Sequence, residues 1–157
     1  MIIKGDKLPQ ATFQQLTKDG MQNPTTNDLF TDKKVVLFAV PGAFTPTCSE
    51  THLPGYIVNA DKFKEKGVDS IICLAVNDAF VMKAWGGSQN AEEIIMLADG
   101  DGAFTKALGL DMETGSFGGN RSQRYAMLVE NGVVKELNIE PPKQFEISKA
   151  EHMLSLV

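Results

Sequence analysis

The chain holds 157 residues, 43% of them hydrophobic and 22% charged, the profile of a globular domain and not of a disulfide scaffold, a disordered tail or a collagen-like chain. Lys and Arg total 15 against 20 Asp and Glu, a formal charge of −5 without a basic cluster, which argues against nucleic-acid binding. No apolar run approaches the ~20 residues of a membrane span, and the opening Met-Ile-Ile-Lys-Gly-Asp lacks the apolar core of a signal peptide. These features predict one domain over residues 1–157, free of membrane attachment and residing in a reducing cytoplasm.

Two strand-like pieces open the chain. Residues 35–40 (VVLFAV) then form a continuous apolar run, as expected of a strand buried on both faces. Residues 47–66 read as a helix interrupted near Pro54-Gly55, because proline removes a donor and crowds the preceding turn; Gly67 would stop it. A second buried strand spans 69–76 (DSIICLAV), a short helix 78–85, and a third strand 94–98. Asp99-Gly100-Asp101-Gly102 resembles part of a calcium loop but lacks the later glutamate, and reads as a turn and cap before a helix at 103–108. Gly118-Gly119 reads as a turn. Strands at 124–129 and 133–139 flank Asn131-Gly132, a strong type I′ hairpin signal. The last helix opens on Ser148-Lys149-Ala150-Glu151, a capping-box pattern, and continues to Leu156. The alternation predicts an α/β domain with helices flanking a central mixed β-sheet.

The two cysteines occupy different settings. Cys73 sits inside an apolar strand and reads as a small buried hydrophobe. Cys48 follows a buried strand and a short loop, and Thr47-Cys48-Ser49-Glu50 has capping-box spacing, which places the sulfur in a first helical turn. Unpaired N–H groups and the helix dipole there favour thiolate over thiol. Thr45, three residues upstream, can bring a hydroxyl to the sulfur or to a substrate oxygen. His52 lies four residues on, on the same helical face. A Cys–His nucleophile pair competes with a structural hydrogen bond, and without any protease signature the structural reading is favoured. His152 reads as a solvated surface group. Only two of the basic residues are arginines, Arg121 and Arg124. Guanidinium geometry in a lysine-using chain points to a specific need, against the alternative of compositional drift. No phosphate loop, G-x-S-x-G elbow or zinc spacing occurs, so neither metal nor cofactor is expected.

Pro41-Gly42-Ala43-Phe44-Thr45-Pro46-Thr47-Cys48 carries the P-x-x-x-T-x-x-C pattern of peroxiredoxins. With VPGAFTPTCSETHLPGY, VNDAFVMKAW and the stretch from Phe117 to Met127, the chain resembles the type II, or peroxiredoxin-5-like, subfamily over nearly its whole length. The resemblance implies a thioredoxin-like fold, with Thr45 where thioredoxin carries its first cysteine. It implies a thiol peroxidase in which Cys48 is the peroxidatic cysteine, Thr45 orients the peroxide and Pro41 shields the sulfur. Arg124 is implied as the active-site arginine, Gly42 as a further peroxide contact, and Arg121 as a basic neighbour of lesser role. Hydrogen peroxide and organic hydroperoxides are the implied substrates. Some relatives carry a resolving cysteine before the last helix, whereas residues 141–148 here have none. A one-cysteine mechanism is therefore favoured over resolution through Cys73, with glutathione, glutaredoxin or thioredoxin as reductant. The resemblance also implies a homodimer, with Phe44, Phe80 and Trp85 as interface candidates.

Two other classes compete. One is a peroxide sensor or relay that stops after about one equivalent of peroxide. The other is a thioredoxin-like binding module without catalysis, against which the joint presence of Thr45, Cys48 and Arg124 argues.

Overall fold

The computed structural model describes residues 1–157. The chain opens with a small antiparallel pair, β1 (Gln15–Thr17) and β2 (Gly20–Gln22), and then α1 (Thr26–Phe30). β3 (Lys34–Ala39) leads to Cys48. Beyond it the chain runs through a widened π turn (Cys48–His52) into α2 (Leu53–Val58) and α3 (Ala60–Glu65). β4 (Ser70–Ala75), α4 (Ala79–Ser88), β5 (Ile95–Ala98) and α5 (Ala103–Leu108) follow. A second small hairpin joins β6 (Asp111–Glu113) to β7 (Asn120–Ser122). β8 (Tyr125–Glu130), β9 (Val133–Ile139) and α6 (Ala150–Leu154) complete the chain.

The main sheet has the order β5-β4-β3-β8-β9. β3, β4 and β5 run parallel, while β8 is antiparallel to its neighbours β3 and β9, so the sheet is mixed as the alternation implied. Side chains alternate across it. Val36, Phe38 and Cys73 face α2, α3, α4 and α6; Val35, Leu37 and Leu74 face α1 and α5. Both faces are covered, which is why these strands read as unbroken apolar runs. Asn131 (φ 49°) and Gly132 (φ 76°) both take positive φ, the geometry a type I′ turn requires.

The helix after Cys48 differs in its interruptions from the sequence reading. It continues through Pro54-Gly55. The widening comes just before Pro54, where the Leu53 N–H bonds back to the Cys48 carbonyl. Pro54 has no N–H for the Glu50 carbonyl and its ring crowds that position, so the wider turn absorbs the misfit. Losing one hydrogen bond costs about 0.5–1.5 kcal/mol. Burying Leu53 and Tyr56 completely contributes roughly 1.5–3 kcal/mol each, so packing wins. The true break is at Asn59, whose side chain donates to the Gly55 carbonyl at 2.8 Å.

Neither expected capping box forms. Thr47 is already helical and makes no side-chain cap, and α6 starts after Lys149 without one. α1, by contrast, carries a complete box between Thr25 and Asp28 that the hydrophobic pattern did not single out.

Candidate active site

Cys48 lies beyond the carboxyl end of β3, on an open α/β edge where ligand sites concentrate. The Ser49 N–H bonds the Thr45 carbonyl at 2.9 Å, so helical bonding begins at Thr45, and Cys48 falls in the first turn. Its backbone N–H has no acceptor in the chain. The sulfur is fully buried beneath the loop and against the sheet.

The resemblance points to Arg124 and not Arg121 as the arginine at the sulfur, and the register of the sheet explains its position there. Tyr125 pairs with Ala39 at the end of β3, so Arg124 emerges beside the loop that carries Cys48. Its Nη2 donates to Cys48 Sγ at 3.1 Å, a charge-assisted contact that stabilises negative charge on sulfur. Its Nη1 donates to His52 Nδ1 at 2.7 Å. His52 Nε2 meets the Ser148 carbonyl at 3.1 Å, which also accepts from Tyr56 Oη at 2.7 Å. A carbonyl only accepts and a guanidinium only donates, so His52 is the neutral tautomer with its proton on Nε2. Burial first, and then the Arg124 charge, lower its pKa from 6.5 to about 3. His52 therefore does not act on Cys48 as a base; Arg124 stands between them. The ring of Phe145 lies 5.8 Å from the guanidinium carbon and 4.9 Å from the His52 ring.

A sulfur held at a helix start by an arginine is the setting of a reactive thiol, and known proteins similar to this chain specify the kind. The chain matches the Redoxin family model over residues 3–154. It is 46% identical over 156 residues to hybrid peroxiredoxin hyPrx5 of Haemophilus influenzae, an alignment covering 97% of this chain and 65% of that relative. This chain belongs to the peroxiredoxins. Peroxiredoxin-2D of Arabidopsis thaliana is 44% identical, with 98% of this chain and 96% of the relative covered. The crystal structure of reduced Prx3 from Vibrio vulnificus in complex with hydrogen peroxide is 67% identical, with a TM-score of 0.98 and 99% of both chains covered. The peroxiredoxin is of the type II, peroxiredoxin-5-like kind, has the expected thioredoxin-like fold, and is a thiol-dependent peroxidase.

The rest of the peroxiredoxin site is built from the loop after β3. Thr45 Oγ1 donates to the Gly42 carbonyl at 2.7 Å, so its lone pairs remain free to accept from a peroxide O–H. The Ala43 N–H donates to Asn77 Oδ1 at 3.0 Å, and Phe44 is held at φ 65°, a conformation a bulky residue rarely adopts. Pro41 borders a cleft of about 430 Å³ whose walls include Thr47, Arg124, Glu140 and Phe145. Arg121 makes no hydrogen bond to the sulfur. Its Nε and Nη1 donate to the carbonyls of Gly118 and Val76 at 2.9 and 3.0 Å, tying the β6–β7 hairpin to the end of β4. Burial pushes the pKa of the Cys73 thiol well above its ordinary value.

One expected interface residue is excluded. Trp85 exposes none of its surface, and its Nε1 donates to Ser49 Oγ at 2.9 Å behind the Cys48 turn. It braces the site from inside and cannot meet a partner. Phe44 and Phe80 are 56% and 65% exposed. The parts that Ser148, Tyr56, Asn77 and Ser49 play at the site escaped the sequence reading. Each acts through a backbone carbonyl or across a long sequence separation, which no local motif records.

Proposed function

We propose that this peroxiredoxin reduces hydrogen peroxide and alkyl hydroperoxides at Cys48 by a one-cysteine route, and that an external thiol regenerates it. The observation that carries the reading is the 3.1 Å contact of Arg124 Nη2 with Cys48 Sγ. The thiolate attacks one peroxide oxygen, the O–O bond breaks, and the leaving oxygen departs as alkoxide or hydroxide and takes a proton. In this route Arg124, the free Cys48 N–H and Thr45 orient the peroxide and stabilise that charge, a reading supported by the Arg124–Cys48 contact. The product is a sulfenic acid on Cys48. Hydrogen peroxide bound to the Vibrio relative supports it as a substrate here. The absence of a cysteine in residues 141–148 and the burial of Cys73 support glutathione, glutaredoxin or thioredoxin as reductant. One thiol displaces water from the sulfenic acid to give a mixed disulfide, and a second releases the Cys48 thiol.

Mass spectrometry of peroxide-treated protein with glutathione tests the route. A Cys48–glutathione adduct is expected, and a Cys48–Cys73 bond overturns it. Continued turnover under excess reductant separates the enzyme from a sensor. We further propose a two-fold homodimer in which the exposed Phe44 and Phe80 meet the partner. Phe80→Asp places an unpaired charge in that contact. The wild type is expected to sediment as a dimer at tens of micromolar, an order-of-magnitude choice above typical specific dissociation constants, and the variant as a monomer. A monomeric wild type overturns the pairing.

A further inference from the structure

Residues 141–148 cross from the end of β9 to α6 as a strap beside the active site. Its exposed half, residues 141–144, has little to hold it; the Gln144 N–H turns back to the Pro141 carbonyl at 3.0 Å. Its inner half ends on Ser148, whose carbonyl fixes His52. Glu140 stands where the strap leaves the sheet. Its N–H donates to the Arg124 carbonyl at 2.9 Å, so its backbone is already docked on the residue that reaches the sulfur. Its side chain folds back to the far end of the strap. One oxygen, Oε2, accepts from the Glu146 N–H at 2.7 Å, the Ser148 N–H at 2.8 Å and Ser148 Oγ at 2.7 Å.

This carboxylate is almost fully buried, with 6% exposure, and its second oxygen has no partner. Burial alone opposes the charged form, but the donors from Ser148 and Glu146 outweigh it and its pKa lies below the ordinary value. A neutral amide would accept the same three donors more weakly on its one oxygen and would bury an NH2 without a partner where the second oxygen stands. A charge retained in such a place serves geometry that a neutral group would not hold. The geometry it holds is continuous: Glu140 to Ser148, Ser148 to His52, His52 to Arg124, and Arg124 to Cys48.

We infer that Glu140 is a positioning residue for the peroxidase reaction: by clamping Ser148 it sets His52, which aims the Arg124 guanidinium at the Cys48 sulfur. The inference rests on the proposed role of Arg124 at Cys48. Glu140 touches neither the sulfur nor the peroxide, so its effect is expected in the rate of sulfur oxidation only while Arg124 is there to be aimed.

The test is a double-mutant cycle read by stopped-flow oxidation of Cys48 with hydrogen peroxide. Glu140→Gln is expected to slow oxidation about tenfold, short of the ~hundredfold that ~1 Å of misplacement at a reacting centre can cause. In an Arg124→Lys background the same substitution is expected to slow it no further, although it lowers the melting temperature equally in both. Ser148→Ala keeps the carbonyl and removes one donor, and is expected to slow oxidation about threefold, a smaller displacement of the same kind. That variant decides the matter should Glu140→Gln not fold. Unchanged rates in these variants, or an equal fold-loss with and without Arg124, overturn the inference while leaving the reactivity of wild-type Cys48 intact. A wild type inert to peroxide overturns the role of Cys48 and this inference together.

Discussion

Cys48 and Cys73 lie on the same side of the sheet, and neither exposes any surface. Burial by itself disfavours the charged form of a thiol, and at Cys73 in β4 the Arg124 charge offsets it only in part, with no donor on the sulfur. Cys73 pairs in register with Phe38 among apolar neighbours, and its pKa is driven well up. At the end of β3 the same burial is met by Arg124 at 3.1 Å and by the first turn of a helix. The low polarity that penalises an unpaired charge strengthens a paired one. The two sulfurs are equal in exposure and differ in the donors that converge on them, and the proposed reactivity follows the donors.

The largest expected effect separates the two sulfurs outright. Cys48→Ser is expected to abolish peroxide consumption, because a serine hydroxyl is barely ionised at neutral pH. Cys73→Ser is expected to retain most of the activity. Equal losses in a peroxide-consumption assay would break the contrast. Next comes the donor. Arg124→Lys keeps a charge but loses the fork that spans Cys48 and His52, and removing one such stabilising donor costs on the order of a hundredfold in rate. Arg121→Lys, which loses contacts to two carbonyls away from the sulfur, is expected to slow oxidation far less. Stopped-flow rates ranking the two variants the other way would assign the chemistry to the wrong arginine.

How far the sequence reached follows the same divide. The unbroken runs of β3, β4 and β5 and the Asn131-Gly132 turn are properties of a few adjacent residues, and all were legible. The three-residue strands β6 and β7 are too short to show a period, and were missed. Capping boxes were read at Thr47 and Ser148 because spacing alone suggests them. Ser148 Oγ instead donates to Glu140, eight residues upstream, a partner that only the fold supplies. At the site, the place of Cys48 in a first helical turn after a strand was legible, whereas the Thr45 hydroxyl, read as reaching the sulfur or a substrate oxygen, donates to the Gly42 carbonyl. Arg124 as the sulfur's donor came through family resemblance, since the Cys48–Arg124 contact spans 76 residues. The role of His52 was half-legible: its place on the helix suggested the sulfur, but the guanidinium came between.

His52 gives a prediction confined to the site. Its folded pKa of about 3 lies below the ordinary 6.5, so the unfolded chain binds the proton more readily. The stability that depends on the neutral ring is fully present above pH 6.5 and is lost as pH falls toward about 3, with a slope of at most ~1.4 kcal/mol per pH unit. Between about pH 5 and 6.5 ordinary carboxylates stay ionised, so this window isolates histidine. Urea unfolding there is expected to show wild-type stability falling as the medium is acidified, and a shallower fall in His52→Gln. Parallel slopes would mean that the ring is not held neutral.

The smallest effect belongs to the quiet sulfur and isolates what Cys73 contributes. Its side chain lies in the apolar layer with Phe38, and its main chain is committed to ladders with β3 and β5. A serine hydroxyl there finds no vacant backbone partner, and burying it without one costs about 1–3 kcal/mol. Valine brings no polar atom and differs little in volume, so repacking should cost less than about 1.5 kcal/mol. Urea midpoints are therefore expected to fall in the order wild type, Cys73→Val, Cys73→Ser, with m-values unchanged. Both variants should oxidise Cys48 at close to the wild-type rate, since neither alters the donors that converge on it. If Cys73→Val folded as well as the wild type but lost turnover, the strand sulfur would have a chemical role, and the contrast between the two sulfurs would fail.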